Sequence, residues 1–132
     1  MYVKNYQHSS RLQISSEEDL QIAFVKYIRT HHPDVLFVVS GDESFLDSAE
    51  KRVATTRRGY CRGTPDMVVL SRNSSYQGVA FEFKTPYGNG VLSIDQDNYM
   101  KKLKKENFLC VVSNDLLELV AIITKYSNDV DI

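Results

Sequence analysis

Two short apolar runs with charged residues at their ends constrain this chain most. The first, at residues 67–70, directly follows Asp66, and the second, at residues 79–83, is interrupted by Glu82 and ends at Lys84. Both are rich in Val, Leu, Ala and Phe and are bounded by Pro, Gly, Asn or Ser, as is typical of interior strands. Because side chains at i and i+2 share a strand face, Glu82 and Lys84 point the same way. If the runs pair as a hairpin, Asp66 lies near both.

Carboxylates at these strand ends are candidate metal ligands. Carboxylate oxygens suit hard cations such as Mg²⁺ and Mn²⁺, and a nearby lysine can hold or activate a water. The alternative is a strand with one solvated face, on which Glu82 and Lys84 merely share water. Asp66 after Gly-Thr-Pro, the Lys-Thr-Pro exit and Gln96 downstream favour the site.

A helix is predicted to begin near Ser15, because Ser15 and Glu18 have the S-x-x-E spacing of a capping box. Glu17 shares a face with Gln21 and Phe24, which turns it inward. Glu17 is therefore the third candidate acid of the site. Glu18 is explained as a cap and is the alternative if the register is shifted by one residue.

A second capping box, formed by Ser93 and Gln96, predicts a helix that runs to about Glu106. Gln96 lies on one stripe with Met100 and Leu103, so its side chain is expected on the inward face near the strand ends. It can serve as a cap, as a site residue, or as both.

The order of the predicted elements is helix, strands, helix, strand, helix. It predicts one α/β domain, a sandwich with a central mixed sheet flanked by helices. The 132 residues suffice for a single core, placed at about 16–126, with an N-terminal arm at 1–14. The predicted strands lie at 35–39, 66–70, 79–84 and 108–113, and a last helix follows at about 116–123.

The net charge of −1 conceals an uneven charge distribution. The polar connection at residues 40–63 is long for a compact domain, and its second half is basic. A basic stripe binds phosphates regardless of sequence. The alternatives are an ordinary surface loop with a short helix near 44–51, and a solvated helix face for the lysine cluster at 101–105. The candidate DNA-binding residues are Lys51, Arg52, Arg57, Arg58, Arg62, Lys101 and Lys104.

Localisation is predicted from what the chain lacks. The N-terminus has no signal-peptide pattern, and no apolar run approaches membrane-spanning length. Two cysteines, Cys61 and Cys110, do not suggest a secreted disulfide framework. A soluble, intracellular protein is expected.

Glu17, the turn at 62–66, the triplet Glu82-Phe83-Lys84 and Gln96 together resemble the VRR-NUC family of the PD-(D/E)XK nuclease superfamily. The resemblance covers about residues 16–126 and implies a restriction-endonuclease-like fold. It implies a DNA endonuclease that uses Mg²⁺ or Mn²⁺ and leaves a 5′-phosphate. Asp66, Glu82 and the Phe83 carbonyl would hold the metal, with Glu17 completing the shell.

The same resemblance implies that Lys84 orients the attacking water and that Gln96 approaches the active site. It favours a homodimer that cuts four-way junctions in repair or recombination. A flap or nicking nuclease, and a subunit that takes its specificity from a larger partner, are alternatives. Two alternatives are not nucleases. One is a non-catalytic DNA-binding module of the same fold, and the other is an unrelated α/β protein with an accidental E-x-K.

Overall fold

A computed structural model describes residues 14–40, 49–88 and 91–132 of the protein. The predicted arm at 1–14 lies outside this part of the chain except for its last residue, as does the first part of the basic connection, at 41–48. The described elements, in chain order, are α1 (Glu17–His31), β1 (Phe37–Val39), α2 (Ala49–Arg57), β2 (Met67–Val69), β3 (Gly78–Phe83), α3 (Ile94–Lys105), β4 (Phe108–Ser113) and α4 (Leu116–Ser127).

The four strands form one mixed sheet in the order β1-β2-β3-β4. β1 pairs with β2 and β2 with β3 in antiparallel fashion, whereas β4 runs parallel to β3. The antiparallel β2–β3 pair is the predicted hairpin, and its register places Met67 opposite Phe81. The parallel β3–β4 pair requires a crossover, which α3 supplies.

The core lies where β3 is covered on both faces, and every residue of β3 is buried. On one face Phe24 of α1 packs edge-on against Phe81 and Phe83, with ring centroids 5.0 and 6.0 Å apart. Glu82 points to the other face, toward α3, as strand alternation requires. Helices on both faces of a mixed sheet confirm the predicted α/β sandwich.

The first helix begins one residue later than the capping pattern suggested. Ser16, not Ser15, is the N-cap, and its hydroxyl accepts from the amide of Asp19 at 3.0 Å. Ser15 donates to the Asp19 carboxylate instead, through its amide and its hydroxyl. The prediction that Glu18 serves as the capping residue is therefore wrong, since Asp19 occupies that position.

Other boundaries shift in the same modest way. β1 begins at Phe37 rather than residue 35. The alternative of a short helix near 44–51 overlaps α2 at 49–51, and its residues 44–48 lie outside the described part of the chain. The predicted capping box of α3 is confirmed, and β4 has the predicted bounds. Within the described residues, none of the helices has the length and apolar character needed to cross a membrane.

Candidate active site

The site begins where β2 starts and β3 ends. Asp66 directly precedes β2, and extending the Met67–Phe81 register by one residue places Asp66 opposite Glu82. Asp66 is held there by the Phe83 amide, which donates to its Oδ2 at 2.8 Å. The hairpin thus brings together two carboxyl groups that lie 16 residues apart in the sequence.

Glu82 is a buried acid with one satisfied oxygen. Its side chain projects from the central strand, and only 3% of the residue is exposed. Oε2 accepts from Gln96 Nε2 at 3.0 Å, whereas the buried Oε1 has no hydrogen-bond donor among the described residues. A neighbouring carboxyl such as Asp66 could bond this oxygen only if the pair held a proton. An orphaned acid oxygen of this kind favours occupation by a proton or a cation.

The pKa of Glu82 is raised from 4.5 to about 9, mainly by burial and then by the adjacent Asp66 carboxyl, through a shared hydrogen bond and its charge. The charge of Lys84 opposes the increase, and that of Glu17 adds to it. Two carboxyl groups this close cannot both ionise cheaply, so the metal-free pair holds a proton at neutral pH. A bound divalent cation would replace that proton, which makes this donor set suitable for a hard metal.

Gln96 connects the cap of α3 to the ends of the strands. Its Oε1 accepts from the Ser93 amide at 2.9 Å and from Lys84 Nζ at 3.0 Å, while its Nε2 donates to Glu82. One amide therefore completes the capping box and fixes two predicted site residues. The cap and site positions foreseen for Gln96 coexist, and its catalytic role stays a prediction.

Asp66, Glu82 and Gln96 line a cleft of about 710 Å³, whereas Lys84 and Phe83 are not among its lining residues. Both Glu17 and Glu18 border it, on the first turn of α1, and both are exposed. The charge of Glu17 contributes to the raised pKa of Glu82, and that of Glu18 is not among its causes. The lining residues are Glu17, Glu18, Gln21, Ile22, Ser40, Tyr60, Arg62, Gly63, Thr64, Asp66, Glu82, Ser93, Asp95 and Gln96.

The described parts of the chain contain no group of three His, Cys, Asp or Glu side chains that could hold a metal ion. The close pair is Asp66 and Glu82, and Glu17 stands at the rim of the cleft. Mg²⁺ often uses only one or two carboxylates and completes its shell with water and substrate phosphates. The pair is sufficient for that kind of site.

The predicted basic residues fall into two groups. Arg62 borders the cleft, 78% exposed, with its Nε 4.0 Å from Asp95 Oδ2. Lys51, Arg57 and Arg58 are exposed on and after α2, and the Arg52 side chain lies outside the described residues. On α3 the side chains of Lys101 and Lys104 are exposed, and Lys101 pairs with Asp97 at 2.9 Å.

Sequence reasoning missed several residues of the cleft. Gly63 has a φ of +84°, and a Cβ there would overlap the backbone of Asp95 and lie 2.7 Å from the Gln96 amide nitrogen. Its place in a Gly-Thr-Pro turn could have suggested a close approach. Ile22 and Tyr60 also border the cleft. Ile22 lies outside the apolar stripe of α1, and this departure from the helical pattern could have indicated an exposed apolar residue.

Comparisons with known proteins agree with this architecture. The model of the VRR-NUC domain family matches residues 4–114. A solved structure described as a VRR_NUC domain protein superposes with a TM-score of 0.68 at 20% sequence identity, over 86% of this chain and 88% of that chain. No curated protein sequence matches. At this identity the structural match supports the fold, and the domain model supports the family.

Proposed function

Because this chain belongs to the VRR-NUC family and is a nuclease-type domain, we propose that it is a divalent-metal-dependent endonuclease that hydrolyses DNA phosphodiester bonds. The observation that carries the proposal is the buried Glu82 carboxyl beside Asp66, with one oxygen that meets no donor among the described residues and the other linked through Gln96 to Lys84. A strand with a merely solvated face would expose Glu82 to water, whereas this acid is almost wholly buried.

The Asp66 and Glu82 carboxylates, with the Phe83 carbonyl, would hold Mg²⁺ or Mn²⁺, and Glu17 would approach from the cleft rim. Such a cation, when bound, polarises the scissile phosphate and neutralises charge on the leaving oxygen. The Phe83 amide fixes the orientation of Asp66, and the Gln96 amide fixes that of Glu82. The chain thereby sets both carboxylates before substrate arrives.

Lys84 would supply a positive charge beside the Glu82 carboxyl, whose pKa its charge lowers. Gln96 Oε1 accepts from its Nζ and removes much of its rotamer freedom, which matters because lysine side chains are otherwise flexible. From this place Nζ orients a water toward the phosphorus. Attack breaks the bond to the 3′ oxygen, which leaves as a hydroxyl after protonation, and the product carries a 5′-phosphate.

We extend the proposal to branched DNA as substrate and to a homodimer as the active form. A two-fold dimer presents two equivalent sites, as paired cuts across a four-way junction require. β1 lies at an edge of the sheet formed by the described strands, and its apolar residues support self-association, because Val38 and Val39 are about half exposed and the neighbouring Leu36 is 62% exposed. Flap or nicking activity is the alternative within the class.

A cleavage assay with Mg²⁺ or Mn²⁺ on four-way junction, flap, nicked and linear duplex DNA tests the proposal. Glu82→Gln keeps the shape and the Gln96 contact but removes the ionisable group, and Lys84→Met keeps the aliphatic stem but removes the amine. We expect each to lower the cleavage rate by about 10²–10⁴-fold. Lys125→Met, on the exposed surface of α4, is the matched control and should cleave normally.

DNA binding measured in parallel separates catalysis from affinity. We expect Glu82→Gln to bind DNA as tightly as the wild type without cutting it. Wild-type protein that binds DNA but cuts no substrate with either metal would instead support a non-catalytic module. Cleavage that survives in both site variants would overturn the assignment of these residues.

A further inference from the structure

Two apolar side chains border an otherwise polar and acidic cleft. Ile22, on the second turn of α1, is 59% exposed, although most apolar residues of that helix face the core. Tyr60, in the connection between α2 and β2, is half-buried at the same cleft. The charged side chains that line the cleft are five carboxylates and Arg62. An exposed aliphatic group beside these carboxylates adds nothing to the binding of a cation or a phosphate.

The size and charge of the cleft limit what can occupy it. Its volume of about 710 Å³ falls within the roughly 300–1,000 Å³ of pockets that hold drug-sized ligands, a class that includes a single nucleotide. The carboxylates of Glu18 and Asp95 at the cleft would repel the closely spaced phosphates of an intact duplex. A nucleobase carries no charge, and its flat face packs well against tyrosine and aliphatic carbon.

We infer that Ile22 and Tyr60 receive an unstacked nucleobase next to the scissile phosphate, so that the protein selects DNA with a frayed or branched strand over continuous duplex. The inference rests on the proposed function, because the base is placed by the phosphate at Asp66 and Glu82. It concerns substrate choice and assigns these two side chains no part in bond cleavage. Unpaired strands supply such a base without the cost of breaking a base pair.

The test compares two DNA duplexes of the same sequence, one fully paired and one with three mismatched pairs around the cut position. Tyr60→Ala and Ile22→Ser should each lower cleavage of the mismatched DNA by about tenfold, the size expected when one stacking contact is lost. Cleavage of paired DNA should change by less than about twofold. Tyr60→Phe keeps the ring and should keep the preference.

Val53→Ser is the matched control for Ile22→Ser, since Val53 is 54% exposed on α2 and is not part of the cleft lining. It should leave the ratio of mismatched to paired cleavage unchanged. An equal ratio in wild type, Tyr60→Ala and Ile22→Ser would overturn the inference while leaving the nuclease assignment intact.

Fluorescence anisotropy with the same two DNAs provides a readout that does not depend on cleavage. A binding preference for mismatched DNA that is present in the wild type and lost in Tyr60→Ala and Ile22→Ser supports the inference, even if no cleavage is seen. Equal affinity of the wild type for both DNAs, or no binding at all, contradicts it. Equal affinity with cleavage intact overturns this inference alone, whereas a binding preference that persists without cleavage of any DNA overturns the proposed function alone.

Discussion

Glu82 was identified from strand parity, since an acid two residues before a lysine in an otherwise apolar run must share its face. That reasoning depends only on the alternation of side chains along a strand, which holds in any sheet. Its raised pKa could not be obtained in the same way, because that property depends on burial under α3 and on Asp66 across the hairpin. The local sequence therefore predicts where the acid lies on the strand, whereas its proton affinity depends on residues that the tertiary structure brings near it.

The capping error at α1 also arises at the level of single residues. Ser15 and Ser16 are each followed three residues later by an acid, Glu18 and Asp19 respectively, so two caps fit the same pattern. Ser16 is the residue that caps the helix, and Ser15 donates two hydrogen bonds to the Asp19 carboxylate. Those bonds lower the pKa of Asp19, through the Ser15 amide first and its hydroxyl second.

The raised pKa of Glu82 predicts how stability depends on pH without metal. A folded-state value of about 9, above the ordinary 4.5, means that the folded chain retains a proton that the unfolded chain releases. The free energy of unfolding should therefore fall as pH rises from about 4.5 to 9. Urea unfolding in EDTA measures this, and Glu82→Gln should flatten the slope.

Glu106→Gln, an exposed acid at the end of α3, serves as the control and should retain the wild-type slope. Adding Mn²⁺ to the wild type should restore stability at high pH, because a cation replaces the proton. Identical slopes in wild type and Glu82→Gln would contradict the proton assigned to the Glu82–Asp66 pair.

Elements with a strong pattern were predicted best. α3 and β4 have the expected bounds because a capping box and a continuous apolar run define them locally. β1 is shorter than its apolar run since only three of its residues pair with β2. α2 shows no apolar stripe, so the sequence offered little to locate it.

Gly63 determines how closely the turn before β2 approaches α3. A methyl group at this position would overlap the first turn of α3, which carries Gln96, and its φ of +84° is itself unfavourable for alanine. We expect Gly63→Ala to lower the free energy of unfolding by about 1–3 kcal/mol more than Gly59→Ala, owing to overpacking. It should also slow cleavage by displacing Gln96.

Gly59 is a suitable control because its φ is also positive, at +105°, but a Cβ there meets nothing within 4 Å. Comparing urea unfolding and cleavage of the two variants separates the effect of the clash with α3 from the effect of the positive φ angle. Equal losses of stability in the two variants would show that contact with α3 contributes nothing.

At the scale of the whole molecule, the net charge of −1 is uninformative and the placement of charge is decisive. The carboxylates of Glu17, Asp66 and Glu82 gather at one cleft, and Arg62 borders it. Exposed arginines at the end of α2 precede that residue in the chain. Under the proposed function, this arrangement would place the cation at the carboxylates and the DNA phosphates at the arginines farther out.

Replacing Arg57 and Arg58 by alanine should weaken DNA binding and flatten its dependence on salt. Each phosphate contact contributes about 0.9 to the slope of log affinity against log salt, so two lost contacts reduce the slope by up to about 2. Anisotropy titrations at several salt concentrations measure it. Arg29→Ala with Lys125→Ala removes the same charge elsewhere, and an equal effect would point to net charge alone.

The juxtaposition of Asp66, Glu82 and Gln96, the burial of the central strand and the cap of α3 follow from the sequence, because strand alternation and capping are short-range rules. How near Glu17 comes to Glu82 and the presence of Ile22 and Tyr60 at the cleft were decided only by the tertiary structure. Those features depend on how α1, the turn at Gly63 and α3 pack around the sheet. Packing of this kind is set by long-range contacts, which a local pattern does not record.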